Sequence, residues 1–380
     1  MTHARTLGVT WGDPYAAFTY SGVPWHLFAE LDRMSALSGR ADANQTRLTD
    51  VLHGMVDVRR TLQARRPRRN ALWRYLPANI ERLSRRFAAL TPQLPEHDAV
   101  LQFGVAGIPE GVPLVAHVEI PVEAAVSTPV FARSYGFDRF TDREIAAAIA
   151  GEREFLRACS VVWTNSPWTA AQLVSEDLPE SRIRWYPPGC GMADPGEIER
   201  TWDHLSVLFI GKDWERKGGP ELVEAFRQVR AADPEAELTV VGAEPDVDEP
   251  GVTVLGYLDK DVPADAARLD AAIRRATVFC LPSVWESTGI VYMEAALYGL
   301  PVVMLAGQGR EALFPADGGV VLPDGDPGRL AATLLELGAD PDRMRAQGAA
   351  GRAYVLEHYT WPTVAARVAG FVDEAVAAVA

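Results

Sequence analysis

From about residue 205 the chain alternates short apolar, β-branched runs with stretches of helical periodicity. LSVLFIG (205–211), ELTVVG (237–242), VTVLG (252–256), TVFCLPS (277–283) and PVVML (301–305) read as buried strands. Gly218-Gly219-Pro220 opens a helix over ELVEAFRQVRAA, and a second helix follows the fourth of these strands to about residue 299. The first half alternates less cleanly. TLGVT (6–10), AVLQF (99–103), LVAHV (114–118) and SVVWT (160–164) are strand candidates, with a long helical, arginine-rich stretch between the first two. RIRWYPPGCG (182–191) ends a strand and breaks into Pro-Pro-Gly, as an interdomain linker does. The last 20 residues form one amphipathic helix.

Strands that are apolar throughout and alternate with helices build parallel, doubly wound sheets covered on both faces. The expectation is α/β: a Rossmann-like domain over 1–190, a linker over 191–204, a second Rossmann-like domain over 205–360, and a terminal helix (361–380) crossing back to the first. Two such domains place a ligand cleft between the carboxyl ends of their sheets.

A length of 380 residues exceeds what one core normally organises, which agrees with two domains. No apolar run approaches the roughly 20 residues needed to span a bilayer. The first residues lack the apolar core of a secretory signal, and three scattered cysteines fit a reduced, cytoplasmic chain. The formal net charge of −14 argues against a general nucleic-acid binder. Charge is uneven, however. Residues 1–203 carry −2 and residues 204–380 carry −12, while residues 40–86 alone hold 12 arginines. Only three basic residues are lysines, Lys212, Lys217 and Lys260, and the first two share one glycine-bounded loop.

That loop, GKDWERKGG (211–219), follows a strand and precedes a helix. Its glycines admit close backbone approach, the helix start offers free N–H groups, and two ammonium groups supply positive charge. A diphosphate needs this combination, although a solvated charged turn has the same appearance. The segment PSVWESTGIVYMEAALYGLPVV (282–303) puts Glu286 on the loop after a strand and Glu294 in the following helix. Carboxylates suit sugar and ribose hydroxyls, because each oxygen accepts charge-assisted hydrogen bonds. Thr288, Gly289 and Ile290, at the helix start, can address phosphate or sugar oxygens.

The strings LFIGKDWERKGG, PSVWESTGIVYMEAALYGLPVV and YTWPTVAARVAGFV, in this order, resemble the C-terminal half of family 4 retaining glycosyltransferases, which include sucrose synthase and bacterial mannosyl- and glucosyltransferases. The resemblance covers most of residues 205–375 and implies the GT-B fold, two Rossmann-like domains facing each other across a cleft. It implies a nucleoside-diphosphate sugar as co-substrate, with no other cofactor. Lys212 and Lys217 would grip the donor diphosphate, Lys212 standing where arginine is commoner. Glu294 would hold the ribose, Glu286 would face the donor sugar, and Tyr257 and Leu258 would lie near the base. In the first half, Ser21-Gly22 resembles the family's glycine-rich loop under the donor phosphates; an ordinary helix cap by Ser21 is the alternative. His117, at a strand end, would lie beside the donor sugar.

Ser166 before Pro167 reads as a helix cap. NIERLSRRFAAL (79–90) aligns Ile80, Leu83, Phe87 and Leu90 on one face, with Arg82, Arg85 and Arg86 largely off it. A surface helix packed on its own sheet gives that pattern; so does peripheral docking of residues 40–90 on an anionic membrane, or an anionic acceptor. Asp246-Val247-Asp248 formally matches a metal-binding D-x-D but sits in an acidic, proline-bounded loop, so no metal is expected. No dinucleotide fingerprint follows a strand. The reading is a retaining, metal-independent glycosyltransferase with an unidentified acceptor. A nucleotide-sugar epimerase of the same fold and a non-catalytic nucleotide-sugar binder are its rivals.

Overall fold

The computed structural model describes residues 3–16, 19–43, 72–175 and 178–379. The chain divides into two compact units: residues 1–186 with 361–380, and residues 187–360. The segment expected as a linker groups with the second unit. There Arg200 donates to the carbonyls of Tyr298, Gly299 and Ile273, and the Cys190 amide donates to the Tyr359 carbonyl.

In the first unit the strands are β1 (Thr6–Thr10), β2 (Leu37–Asp42), β3 (Ala99–Phe103), β4 (Leu114–Val118), β5 (Val161–Thr164) and β6 (Ile183–Trp185). They form one sheet in the order β2-β1-β3-β4-β5-β6, with every neighbouring pair parallel. β1, β3 and β5 are buried along their whole length, as strands covered by helices on both faces must be. Helices α1 (Val23–Arg33), α2 (Pro77–Leu90), α3 (Val122–Ser127), α4 (Pro129–Tyr135), α5 (Asp142–Ala158) and α6 (Pro167–Ser175) complete the layers up to residue 186. Ser166 accepts from the Thr169 amide and so caps α6, as expected. In α2, Ile80, Leu83 and Phe87 are buried while Arg82 and Arg85 are exposed, so the apolar stripe is spent on the unit's own core. Residues 44–71, which hold most of the arginine-rich stretch proposed to meet a membrane or an anionic acceptor, lie outside the described residues.

The second unit contains β7 (Ser206–Ile210), β8 (Glu237–Val241), β9 (Val252–Gly256), β10 (Val278–Leu281), β11 (Val302–Leu305) and β12 (Gly319–Leu322). Their order is β12-β11-β10-β7-β8-β9, again all parallel. Counted from β7, this is the doubly wound order 6-5-4-1-2-3, whose direction reverses between β7 and β10. Helices α7 (Gly219–Ala232), α8 (Pro263–Arg275), α9 (Ile290–Leu297), α10 (Pro327–Gly338) and α11 (Pro341–His358) flank it; α12 (Trp361–Ala377) belongs to the first unit.

Candidate functional site

In an open parallel sheet the strands on either side of the reversal send their loops apart and leave a crevice at their carboxyl ends. In the second unit those strands are β7 and β10, and their loops are the two that carry the candidate chemistry: 211–218 and 282–289. The loops are laced together by backbone. The Val284 amide donates to the Arg216 carbonyl at 2.9 Å, and Gly218, at φ +74°, lies so close to the Pro282 carbonyl that a Cβ would stand 2.1 Å from it. Only glycine fits there, on both counts.

Glu286 is buried at 6% exposure and takes its partners from both loops. Its Oε1 accepts from Lys217 Nζ, from Arg216 Nη1 at 3.2 Å and from Ser283 Oγ at 2.8 Å. Glu294, in the second turn of α9, is equally buried, and its Oε1 accepts from Lys260 Nζ at 2.5 Å. The backbone at Gly191 presses on the same oxygen, where a Cβ would come within 2.8 Å. Lys212 Nζ sits 4.2 Å from the centroid of the half-exposed Tyr257 ring, a cation–π contact; neighbouring Leu258 is buried. All three lysines of the chain therefore surround this edge of the sheet.

Gly289, at φ +77°, is the N-cap of α9 and provides no side-chain cap, so the first amides of that helix are left to solvent or a ligand. Just before it, Thr288 is 4% exposed and its Oγ1 has no hydrogen-bond partner among the described residues. A buried hydroxyl without a partner is costly, and an oxygen-rich ligand at the helix start would satisfy it. Arg310, fully buried, braces the site from behind by donating to the carbonyls of Ser283, Ala306 and Gly307.

Ser21, Gly22 and His117 form a separate set in the first unit, at the carboxyl edge of its own sheet. Tyr20, Ser21 and Gly22 all have left-handed backbones, at φ 47°, 56° and 82°. Gly22 is the N-cap of α1 and no side chain caps that helix, so Ser21 is not an ordinary cap. Two consecutive non-glycine residues in this region store backbone strain. The register Phe103↔His117↔Trp163 puts three rings in one row across β3, β4 and β5, and the His117 ring lies 4.8 Å from Phe103 and 4.5 Å from Trp163. Burial pulls the His117 pKa down to about 4, against the opposing effect of Asn165, whose Oδ1 lies 2.8 Å from Nε2. The imidazole is neutral near pH 7.

The chemistry-bearing residues that sequence reasoning left unassigned are Arg216, Ser283, Lys260, Arg310 and Asn165. Lys260 had one signal, its rarity among 34 arginines; the others are common residue types whose partners are set by the fold. Asp246 and Asp248 are exposed on the β8–β9 loop, and no group of three His, Cys, Asp or Glu able to hold a metal occurs among the described residues. Cys159, Cys190 and Cys280 are buried free thiols.

Two parallel six-stranded Rossmann-like units in one chain define the GT-B class, and a sucrose-phosphate synthase from Thermosynechococcus elongatus has the same fold, with a TM-score of 0.67 over 98% of this chain and 100% of that one at 16% identity. Residues 204–340, which lie within the second unit, match the family model described as Glycosyl transferases group 1. A GDP-mannose-dependent alpha-(1-6)-phosphatidylinositol monomannoside mannosyltransferase of Mycolicibacterium smegmatis is 29% identical over 55% of this chain and 61% of its own length. A GDP-mannose-dependent monoacylated alpha-(1-6)-phosphatidylinositol monomannoside mannosyltransferase of Corynebacterium glutamicum is 35% identical over 40% of this chain and 43% of its own. The matched region thus spans about half the length of these relatives.

Proposed function

We propose that the protein is a retaining hexosyltransferase that moves a sugar from a nucleoside-diphosphate sugar to an acceptor. The observation that carries this reading is the meeting of Lys217 and Arg216 with Glu286 at the reversal point of the second sheet. As the C1–O bond breaks, its electron pair goes to the departing diphosphate. Lys212, Lys217 and the uncapped amides of α9 balance the charge that develops there, and because they are fixed in advance they favour the transition state over the ground state. These cations do the work a divalent metal does elsewhere, so the reaction is proposed to be metal-independent. Glu286 accepts from hydroxyls of the donor sugar, and Glu294 exchanges Lys260 for the ribose hydroxyls. The acceptor oxygen bonds to C1 on the face the diphosphate leaves. Its proton passes to the leaving phosphate oxygen, which gives retention.

GDP-mannose is the first donor to try, because both relatives above are named as GDP-mannose-dependent; UDP-sugars come next. The same names make a lipid-linked acceptor the first class to screen, ahead of small molecules and glycans. Exposed Arg82 and Arg85 on α2 are consistent with an anionic headgroup. With a nucleotide-sugar donor, the cytoplasm is the location we propose for the reaction.

Thermal unfolding with GDP, UDP, ADP and dTDP tests the site directly. A nucleotide binding at ten micromolar adds about 2.7 kcal/mol at hundredfold excess. With the hit identified, Glu294→Ala should raise the donor Kd on the order of tenfold or more. Lys217→Ala should instead lower kcat by roughly 10²–10³-fold. Wild-type kinetics in both variants would remove the proposal.

A further inference from the structure

We propose that Arg216 is the positioning residue for the sugar-facing carboxylate, holding Glu286 by one oxygen so that the other is left for the donor sugar; this rests on the donor-site reading above. A carboxylate has about four lone-pair sites on two oxygens. In Glu286 all three protein donors, Arg216 Nη1, Lys217 Nζ and Ser283 Oγ, converge on Oε1, and among the described residues none reaches Oε2. One oxygen is anchored and its twin is available.

The three anchors differ in what else they must do. Lys217 is an ammonium on a flexible stem, and on donor binding it is drawn to the diphosphate. Arg216 has no such freedom. Its side chain is only 15% exposed and is held on separate edges of the guanidinium: Nε donates to Asp213 Oδ2 at 3.0 Å and Nη1 donates to the Trp285 carbonyl at 2.7 Å. Its own carbonyl accepts the Val284 amide, which fixes the backbone beneath it. A planar fork can satisfy Asp213, Trp285 and Glu286 together, whereas a single ammonium cannot span them. Division of labour follows: Lys217 serves the phosphate, while Arg216 and Ser283 keep Glu286 aimed when Lys217 turns away.

A loop staple with no bearing on the sugar would weaken nucleotide and nucleotide sugar alike, so the decisive quantity is a ratio. Kd is measured for GDP and GDP-mannose, or UDP and UDP-glucose if uridine is the base bound, in wild type, Arg216→Met, Arg216→Lys and Ser283→Ala. Thermal stability without ligand is followed in parallel. The expected result is nucleoside-diphosphate affinity within about threefold of wild type, with the sugar-to-diphosphate Kd ratio raised about tenfold or more in Arg216→Met. Ser283→Ala should move the ratio the same way but less, and Arg216→Lys should recover only part of the loss. If Arg216→Met does not fold, Arg216→Lys and Ser283→Ala decide by the same ratio. An unchanged ratio overturns the role of Arg216 and leaves the donor site standing. Wild-type protein that binds no nucleoside diphosphate overturns both.

Discussion

His117 illustrates how much one residue's environment decides. It is the penultimate residue of β4, between Phe103 and Trp163 with one nitrogen on Asn165, and burial holds its pKa near 4. An unfolded histidine titrates near 6.5. Between those values the unfolded chain binds the proton that the folded chain refuses, so stability rises with pH from about 4 to about 6.5 and is lost as pH falls through that window. His117→Asn should flatten this part of the melting-temperature profile relative to wild type; two parallel profiles would show that the imidazole is not buried in its neutral form. That a histidine stands near the carboxyl end of β4 was legible in the sequence. That Asn165 pairs with it was not, because 48 residues separate them and only the β4–β5 register brings them together. The same holds at the lysine loop. Lys212 and Lys217 stood out because lysine is rare here, whereas Arg216 was hidden among 34 arginines and gains its meaning only from Glu286, 70 residues away.

At the scale of elements, legibility tracked apolar, β-branched runs. β1, β3, β4 and β9 have the limits read from the sequence, because such a run announces a strand whether it is buried throughout, as β1 and β3 are, or partly exposed at a sheet edge, as β9 is. Of the two strands absent from the sequence reading, both sheet edges, β2 carries no such run, whereas β12 carries the short run GVVL. LSGRAD in β2 is half-exposed at every position, and a strand paired on one side needs little apolar surface. The helix that carries Glu294 is also held by features no periodicity reveals. Arg352 donates to the Leu297 carbonyl and Arg200 to those of Tyr298 and Gly299, so two cations close the negative end of α9. Behind it, α11 packs so closely that a Cβ on Gly348 would stand 2.0 Å from the Gly299 carbonyl. Gly348→Ala must therefore push α11 away from the end of α9, at a cost of about 1–3 kcal/mol by the usual overpacking penalty. Chemical denaturation would read this as a lower midpoint. A variant as stable as wild type would mean that the helices separate without resistance.

For the whole molecule, the chain does not finish where it appears to. Its second unit ends at residue 360, and α12 then completes the core of the first. Val364, Ala365, Val368, Ala369, Val372 and Ala375 are each at most 2% exposed, in the 3–4 spacing of a helix with one apolar face. Polar ties fix the same helix to the rest of the first unit: Asp373 to His3 and the Ala4 amide at 2.8 Å, Glu374 to Arg184 at 2.7 Å, and the Trp361 ring stacked on His26. Burial of a valine side chain is worth about 1.5–3 kcal/mol, so three valines alone contribute roughly 5 kcal/mol or more, comparable with the stability of an ordinary domain. A chain ended at residue 360 should therefore lose the first unit and keep the second. Hydrogen exchange by peptide is the measurement that separates them: amides of β1, β3 and β4 should exchange as unfolded chain, whereas those of β7, β8 and β10 stay protected. Under the proposed function the shortened chain should still be stabilised by the same nucleoside diphosphate, because every lysine and both glutamates of that site lie between residues 211 and 295, yet it should transfer no sugar. Protection retained in β1, β3 and β4 would mean that the first unit is closed without its last helix. Loss of protection in both units would mean that α12 supports more than the first unit's core.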